Sequence, residues 1–580
     1  MTTNPIPDYD RPEEEQDYYK KVTELLDHYE DGWNVFIDAH RANNYDFPLV
    51  RKPEYENDPY LPKTWLQLAD AVIGIIATEK YKLDVLPNDI EIIRADQMLD
   101  AYTTTGLPDS YRHWSFGKRR MSEEMNYDSS KHLAYEIVIN SSPCLAYCMD
   151  TNSPLLQMIV IAHASYGHNT VFKNNYLFKE FTDTENILID NRRMRDYIFE
   201  CEKKYGWKEV SRVLDFCHAM QFVDTSDKPN KSKPRRSEIL KRQREKDLQR
   251  HLNAPRQSVF NIAANDDESD GPQREISGHP RQGEKNILAF MADHAPHLPE
   301  WKRNIMRMRS RLSQYFKPQM MTKVLNEGMA TFTHDKIITT MRDIGLIDFG
   351  MYNEYVQINE GVIFQPSAIR TVKGPDGQPV NILVEVQMNP YTLGLTILRD
   401  IERICKNPTA EDKKLFPHFA GDSDWLSMVK HAVFSSNDET YIHQYLSPQA
   451  IRDLKLFSAK DIEGKPLAEV TAIQSGEGFQ QIRERLARDY RLSEILPDIS
   501  LFDYQEKTDR CLILRHHVFE GKRLHAEDAK AVLEHMHAQW EHPIVIESVD
   551  EETGKVLATY SSPANYNYKA QRRADLRPGI

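Results

Sequence analysis

The chain has 580 residues, 40% of them hydrophobic and 28% charged, so it exceeds one ordinary core and predicts a large domain with a smaller one beside it. That balance supplies apolar material for a core but too little to build a membrane protein. A formal net charge of −14 argues against broad nucleic-acid binding, which needs a surplus of Lys and Arg to neutralise phosphates.

Met1 to Glu15 is rich in Pro and acidic residues and lacks the apolar stretch of a signal peptide, so a cytoplasmic location is expected. From Gln16 to Ala39, Tyr19, Val22, Leu25, Leu26, Tyr29, Trp33, Phe36 and Ile37 recur at helical spacing and predict one amphipathic helix. A loop rich in Pro and Asp spans Phe47 to Pro62, and Trp65 to Lys80 reads as a second, more buried helix. Leu86 to Tyr102 continues in the same style. Tyr135 to Asn140, rich in β-branched and aromatic residues before Ser-Ser-Pro, predicts a strand.

The longest apolar run, Leu155 to Ala162, is less than half the length of a transmembrane helix and predicts a buried helix leading into His163. Six cysteines without a CxxC pair indicate a reducing compartment. Cys144 and Cys148 could share one helix face, although buried free thiols are the commoner outcome.

Thr182 to Gln221 predicts two helices divided near Gly206. From Asp224 to Glu284 the pattern collapses into a charged, disordered insertion. Its basic run (Lys228, Lys231, Lys233, Arg235, Arg236, Lys241, Arg242 and Arg244) precedes Asp266, Asp267, Glu268 and Asp270. A solvated linker is the expectation, with Ser237 to Leu252 as an exposed helix inside it.

Helical periodicity returns at Ile287, through Trp301 to Tyr315 and Asn326 to Ile344. Val362 to Pro366 and Val380 to Gln387 are expected to pair around GPDGQP, and Asn389-Pro390 marks a helix start running to Cys405. In the last quarter, Glu469 to Ile473, Ile499 to Tyr504, Cys511 to Val518, Pro543 to Val549 and Lys555 to Tyr560 read as strands. Gly478 to Tyr490 and Ala526 to Trp540 read as helices. That order predicts a ferredoxin-like module.

The expected class is therefore α+β: a large, mainly helical domain over 16–455 with a small, zincin-like sheet, interrupted at 224–284, then a ferredoxin-like domain over 466–562 and a tail at 563–580.

Two segments gather metal-capable side chains amid apolar sequence, AHASYGHN and NEGMATFTH. His163 and His168 are five apart, about 140° round a regular helix, which cannot chelate unaided. A π-bulge, or a helix end swung at Gly167, would align them. Glu327 and His334 share a helix face but are roughly 10 Å apart along it. Glu327 is thus the expected ligand and His334 a neighbouring partner or proton carrier, while Ala330 and Thr331 would let another helix approach. Two imidazoles, a carboxylate and an open position suit catalytic zinc, which lowers the pKa of its water.

The layout is similar to HExxH zinc peptidases, but Ala164 stands where their general base would be and the histidine spacing is five. His334, Glu136 and Tyr166 are the candidate bases, and the sequence selects none. His218, beside Cys217, is a further candidate ligand. The competing reading makes these histidines hydrogen-bonded core residues. No phosphate-binding Gly-rich loop follows a strand and no GxSxG occurs, so ATP or serine hydrolysis lacks support.

HWSFGKR from His113, YEIVINSSPCLAY from Tyr135, AHASYGHNTVFKNNYLF from Ala162, NEGMATFTH from Asn326, NPYTLGLTILRDIERIC from Asn389, DWL from Asp424 and LSPQAIRD from Leu446 together resemble the SpoVR (stage V sporulation protein R) family from about Tyr19 to about Tyr560. The resemblance implies a part in spore-cortex (peptidoglycan) formation or a stress response, with a PrkA-type kinase and a von Willebrand A-like protein as expected partners. Joined to the candidate zinc site, it suggests a metal-dependent hydrolase of peptide or amide bonds. The alternative is a non-catalytic regulatory scaffold that docks those partners.

Overall fold

The computed structural model describes residues 13–225 and 283–566, apart from 45–46, 105, 109, 129–135, 222, 374–377, 384–385, 462–467, 473–474, 493–495, 506–508, 520 and 565. Two compact units emerge: residues 1–214 with 315–496, and residues 215–314 with 497–580.

In the first unit the N-terminal stripe forms two helices, Glu13–Leu26 and Asn34–Ala42, and not the single helix expected over Gln16 to Ala39. The chain turns at Gly32, whose φ of +50° suits a residue without a Cβ. Tyr29 and Trp33 then anchor the turn through hydrogen bonds to the carbonyls of Pro62 and Leu346. Trp65–Ile75 is α-helical and continues as a π-helix at Ile76–Lys80.

Leu86 to Tyr102 departs from the expected helix. It contains strand β1 (Asn88–Ile93) and then a helix, Ala95–Thr103. Periodicity in so short a stretch cannot tell a buried strand from a helix, and here parallel pairing decides. β1 runs in register from Asn88 opposite Cys144 to Ile93 opposite Met149 of β3 (Cys144–Met149). The expected strand at Tyr135 to Asn140 is β2 (Glu136–Ile139), antiparallel to β3. The sheet order is β1-β3-β2, and every residue of β3 is buried. Cys144 and Cys148 are therefore buried free thiols on a strand, not on a helix.

The rest of this unit is mainly helical. Its core runs from Trp65, Leu68 and Ile73 through Ile161, Phe332 and Ile337 to Leu398, Tyr441 and Phe479. The hairpin forms from β4 (Ile369–Lys373) and β5 (Pro379–Leu383). Its first strand lies later than expected, because Val362 completes the helix Phe349–Val362, capped by Asp348. Strands β6 (Ser458–Asp461) and β7 (Ala468–Ala472) pair with each other, and the helix Gly476–Asp489 buries Phe479 and Ile482 in the same core.

The second unit carries β8 (Asp498–Tyr504), β9 (Leu512–Val518), β10 (Ile544–Asp550) and β11 (Val556–Ser562), ordered β11-β10-β9-β8. β9 and β10 are parallel, joined by the crossover helix Ala526–Trp540, and the outer pairs are antiparallel. This ββαββ order is not the ferredoxin-like arrangement expected. β7 and the helix after it are engaged in the first unit, so the first β and α of that motif are missing from this sheet.

Asp224 and Glu284, the expected bounds of the insertion, are both ordered parts of the second unit. Asp224 is fully buried, accepts from the Ser313 hydroxyl and lies 4.0 Å from Arg309. Glu284, at the other end, accepts from the amide of Leu501. The basic run, the acidic run and Ser237 to Leu252 lie outside the described residues. Among the described residues no helix is long and apolar enough to cross a membrane.

Candidate metal centre

Ser153 caps the buried helix Pro154–Ile161, accepting from the amide of Leu156. At Ala162 the winding widens into a π-helix, Ala162–His168, before α-helix resumes at Asn169. A π-turn bonds residue i to i+5 and stacks the two. His163 and His168 accordingly lie together, ring centroids 4.8 Å apart and edge to face. Gly167 is needed for a separate reason. A Cβ there would lie 2.5 Å from the Cα of Ala330, so only glycine lets the helix Lys323–Asp343 pass this close.

That helix carries Glu327. Its first amides, Val324 and Leu325, donate to the carboxylate of Asp438 at 2.9 Å each. Glu327 Oε2 lies 3.6 Å from His168 Nε2 and 3.8 Å from His163 Nε2. From the sheet, Glu136 places Oε1 3.3 Å from His163 Nε2. Ligand atoms of Glu136, His163 and His168 all fall within 4.8 Å of one another. The two imidazoles are buried, and the carboxylate side chains keep 16% and 20% of their surface exposed.

Hydrogen bonding fixes the direction of the His163 lone pair. His334 Nε2 donates to Asn359 Oδ1 at 3.0 Å, which leaves His334 Nδ1 as an acceptor. His163 Nδ1–H fills it at 3.0 Å, so the lone pair of His163 Nε2 faces the carboxylates. For His168, Asn326 spends its Nδ2 on Thr322, and its Oδ1 is a buried acceptor near the ring. His168 Nδ1 and Asn326 Oδ1 are both buried without a hydrogen-bond partner among the described residues, and the ring presents its Nε2 to Glu327.

Burial holds His163 down to about 3 and His334 to about 4, and it lowers His168 as well, so all three rings are neutral at physiological pH. Burial, and then the charge of Glu327, pushes Glu136 well above the usual carboxylate range. Burial also opposes the charge on Glu327, but its carboxyl is held below the usual range by the nearby polar groups of His163, His168 and Tyr391. The Nε2 atoms of both imidazoles thus meet the Glu136 carboxylate, with Glu327 Oε2 beside both rings. Glu136 Oε2 and Glu327 Oε2 are buried without a hydrogen-bond partner. Acceptors converging in this way need a proton or a cation between them. Two nitrogen and two oxygen donors suit zinc, and equally iron or manganese.

Among the other candidates, His334 sits behind His163, where it sets the ring's tautomer and orientation. The Tyr166 hydroxyl turns away and donates to Asp70 Oδ1 at 2.9 Å. His218 falls in the second compact unit and contributes no ligand to this group. Sequence reasoning passed over Asn359, Asn326 and Tyr391. The Tyr391 ring stacks against His163 with centroids 6.1 Å apart, and its hydroxyl lies beside Glu327. Asn326, directly before Glu327, offered a local cue, whereas Asn359 and Tyr391 arrive from distant helices.

A family described as SpoVR like protein matches residues 63–495, and one described as SpoVR-like C-terminal domain matches residues 497–551. The chain is also similar to the protein named Uncharacterized protein YcgB of Escherichia coli (strain K12). They are 39% identical over 475 residues, covering 81% of this chain and 89% of that one. No solved structure matches.

Proposed function

The chain belongs to the SpoVR family, and we propose that it is a metal-dependent hydrolase of peptide or amide bonds. His163, His168 and Glu327 hold a divalent ion, zinc in the first instance, and Glu136 carries the proton. One observation supports this above the rest: the His163 Nε2 lone pair, fixed by the hydrogen bond on the far side of the ring, points at Glu136 and Glu327, and His168 Nε2 faces Glu327 beside it. A core whose histidines served only to be hydrogen-bonded would place donors there.

An ion in that position would polarise a carbonyl or a water oxygen. Glu327 lies between both rings and takes the ligand role. Glu136 approaches from the strand, nearest to His163, and is placed to take a proton and return it to a leaving amine. Ala164 occupies the position of the base in HExxH peptidases, so the sheet supplies here what the helix supplies there. The substrate class that family membership favours is a peptidoglycan peptide.

The test incubates the metal-loaded chain with a mixture of muropeptides and acylated peptides and reads cleavage by mass spectrometry. The wild type should cleave an amide bond, Glu136→Gln should keep its metal and lose cleavage by at least ~100-fold, and Glu327→Gln should lose both. A metal-loaded wild type that cleaves nothing, or an active Glu136→Gln, overturns the reading.

A further inference from the structure

The helix Pro390–Lys406 brings to this site one side chain to which the reaction above gives no task. Asn389 caps the helix by accepting from the Tyr391 amide at 2.9 Å, and it donates to the carbonyls of Val362 and Phe364 at 2.9 and 3.1 Å. The first turn, and Tyr391 with it, is therefore fixed to the preceding segment. One turn on, Gly394 meets Gly328 so closely that a Cβ on Gly328 would lie 2.5 Å from the Cα of Gly394. Gly328 follows Glu327 directly, so backbone contact sets the separation of Tyr391 from Glu327.

The Tyr391 ring lies nearly parallel to His163, 24° from it. Its hydroxyl faces Glu327 and feels the charge of Glu136 as well. Tyr391 is half-buried, and its hydroxyl has Glu327, the carboxylate assigned to the ion, as its hydrogen-bond partner. Tyr166 commits its O–H to Asp70.

With an ion bound, the other polar atoms at the centre of the site are acceptors: two Nε2 lone pairs and four carboxylate oxygens. A carbonyl undergoing attack accumulates negative charge on its oxygen, and acceptors repel that charge. Stabilising it takes a donor aimed at the oxygen's position, and the Tyr391 phenol is the donor held there. We propose that Tyr391 is a catalytic residue that donates a hydrogen bond to the substrate's carbonyl oxygen, making the site selective for acyl groups whose oxygen becomes an oxyanion. This rests on the metal-hydrolase reading. No bond to Tyr391 forms or breaks, and the phenol keeps its proton throughout.

Acetohydroxamate, which presents a carbonyl and an oxyanion together, serves as the probe, with calorimetric titration of the zinc-loaded full chain. Wild type should bind it. Tyr391→Phe, which keeps the ring on His163, should bind about tenfold more weakly with zinc content and melting temperature unchanged. On a cleaved peptide its kcat should fall while KM stays within about twofold. Equal acetohydroxamate affinity in zinc-loaded wild type and Tyr391→Phe overturns the role of Tyr391 and leaves the metal centre standing. A wild type that takes up no zinc removes both.

Discussion

At the scale of single residues, the account turns on where protons sit. His334 makes no contact with the proposed ion, yet by accepting from His163 Nδ1–H it decides which nitrogen of that ring faces the carboxylates. Partners of this kind usually change metal affinity by 10- to 100-fold. His334→Ala should therefore weaken zinc binding by about that factor, measured by competition with a chromogenic chelator, while His334→Gln, whose side-chain oxygen can accept from Nδ1–H, should recover part of the loss. Unaltered zinc affinity in both variants would mean that His163 is oriented by something else. The residues proposed as ligands stood out in the sequence, because His163, His168 and Glu327 are polar residues set in apolar stretches. Tyr391 was not, since NPY reads locally as a helix start and its approach to Glu327 depends on the packing of two helices.

At the scale of elements, the five-residue histidine spacing and the glycines are two parts of one arrangement. The π-helix Ala162–His168 turns both rings to the same side, and Gly167 lets the Glu327 helix come within reach. Gly167→Ala places a methyl where Ala330 Cα already lies, and overpacking of this sort costs about 1–3 kcal/mol. The variant should melt lower and bind zinc more weakly. A variant with both properties intact would show that the two helices do not meet as described. The spacing pointed to a π-turn or to a helix end swung at Gly167, because regular winding cannot align i and i+5, and the structure takes the π-turn. β1 and β3 escaped notice for the opposite reason: NDIEII and CLAYCM are too short for period to separate strand from helix, and their parallel pairing is a long-range property.

At the scale of the whole molecule, the C-terminal strands and helix were legible one by one, and their assembly was not. A linear string of elements does not say which strand joins which sheet, and β7 pairs with β6 instead of joining β8–β11. Asp224 gives the second unit its own signature. Its carboxyl is pushed up to about 6, chiefly by burial, against the opposing effects of Arg309 and Ser313. A group with a raised folded-state pKa adds stability that is complete below its unfolded value and lost as pH rises through the folded one. Unfolding midpoints followed from about pH 4 to about pH 6.5 should thus fall more steeply in the wild type than in Asp224→Asn, and identical slopes would show that Asp224 does not titrate in that range.

The central claim, that the convergent acceptors hold an ion, is tested most directly by elemental analysis of the full chain purified without chelator, beside His168→Ala. The account predicts about one equivalent of zinc, iron or manganese in the wild type and a small fraction of that in the variant, with both proteins folded. Wild-type protein that emerges free of metal, and takes none up at micromolar zinc, would contradict it.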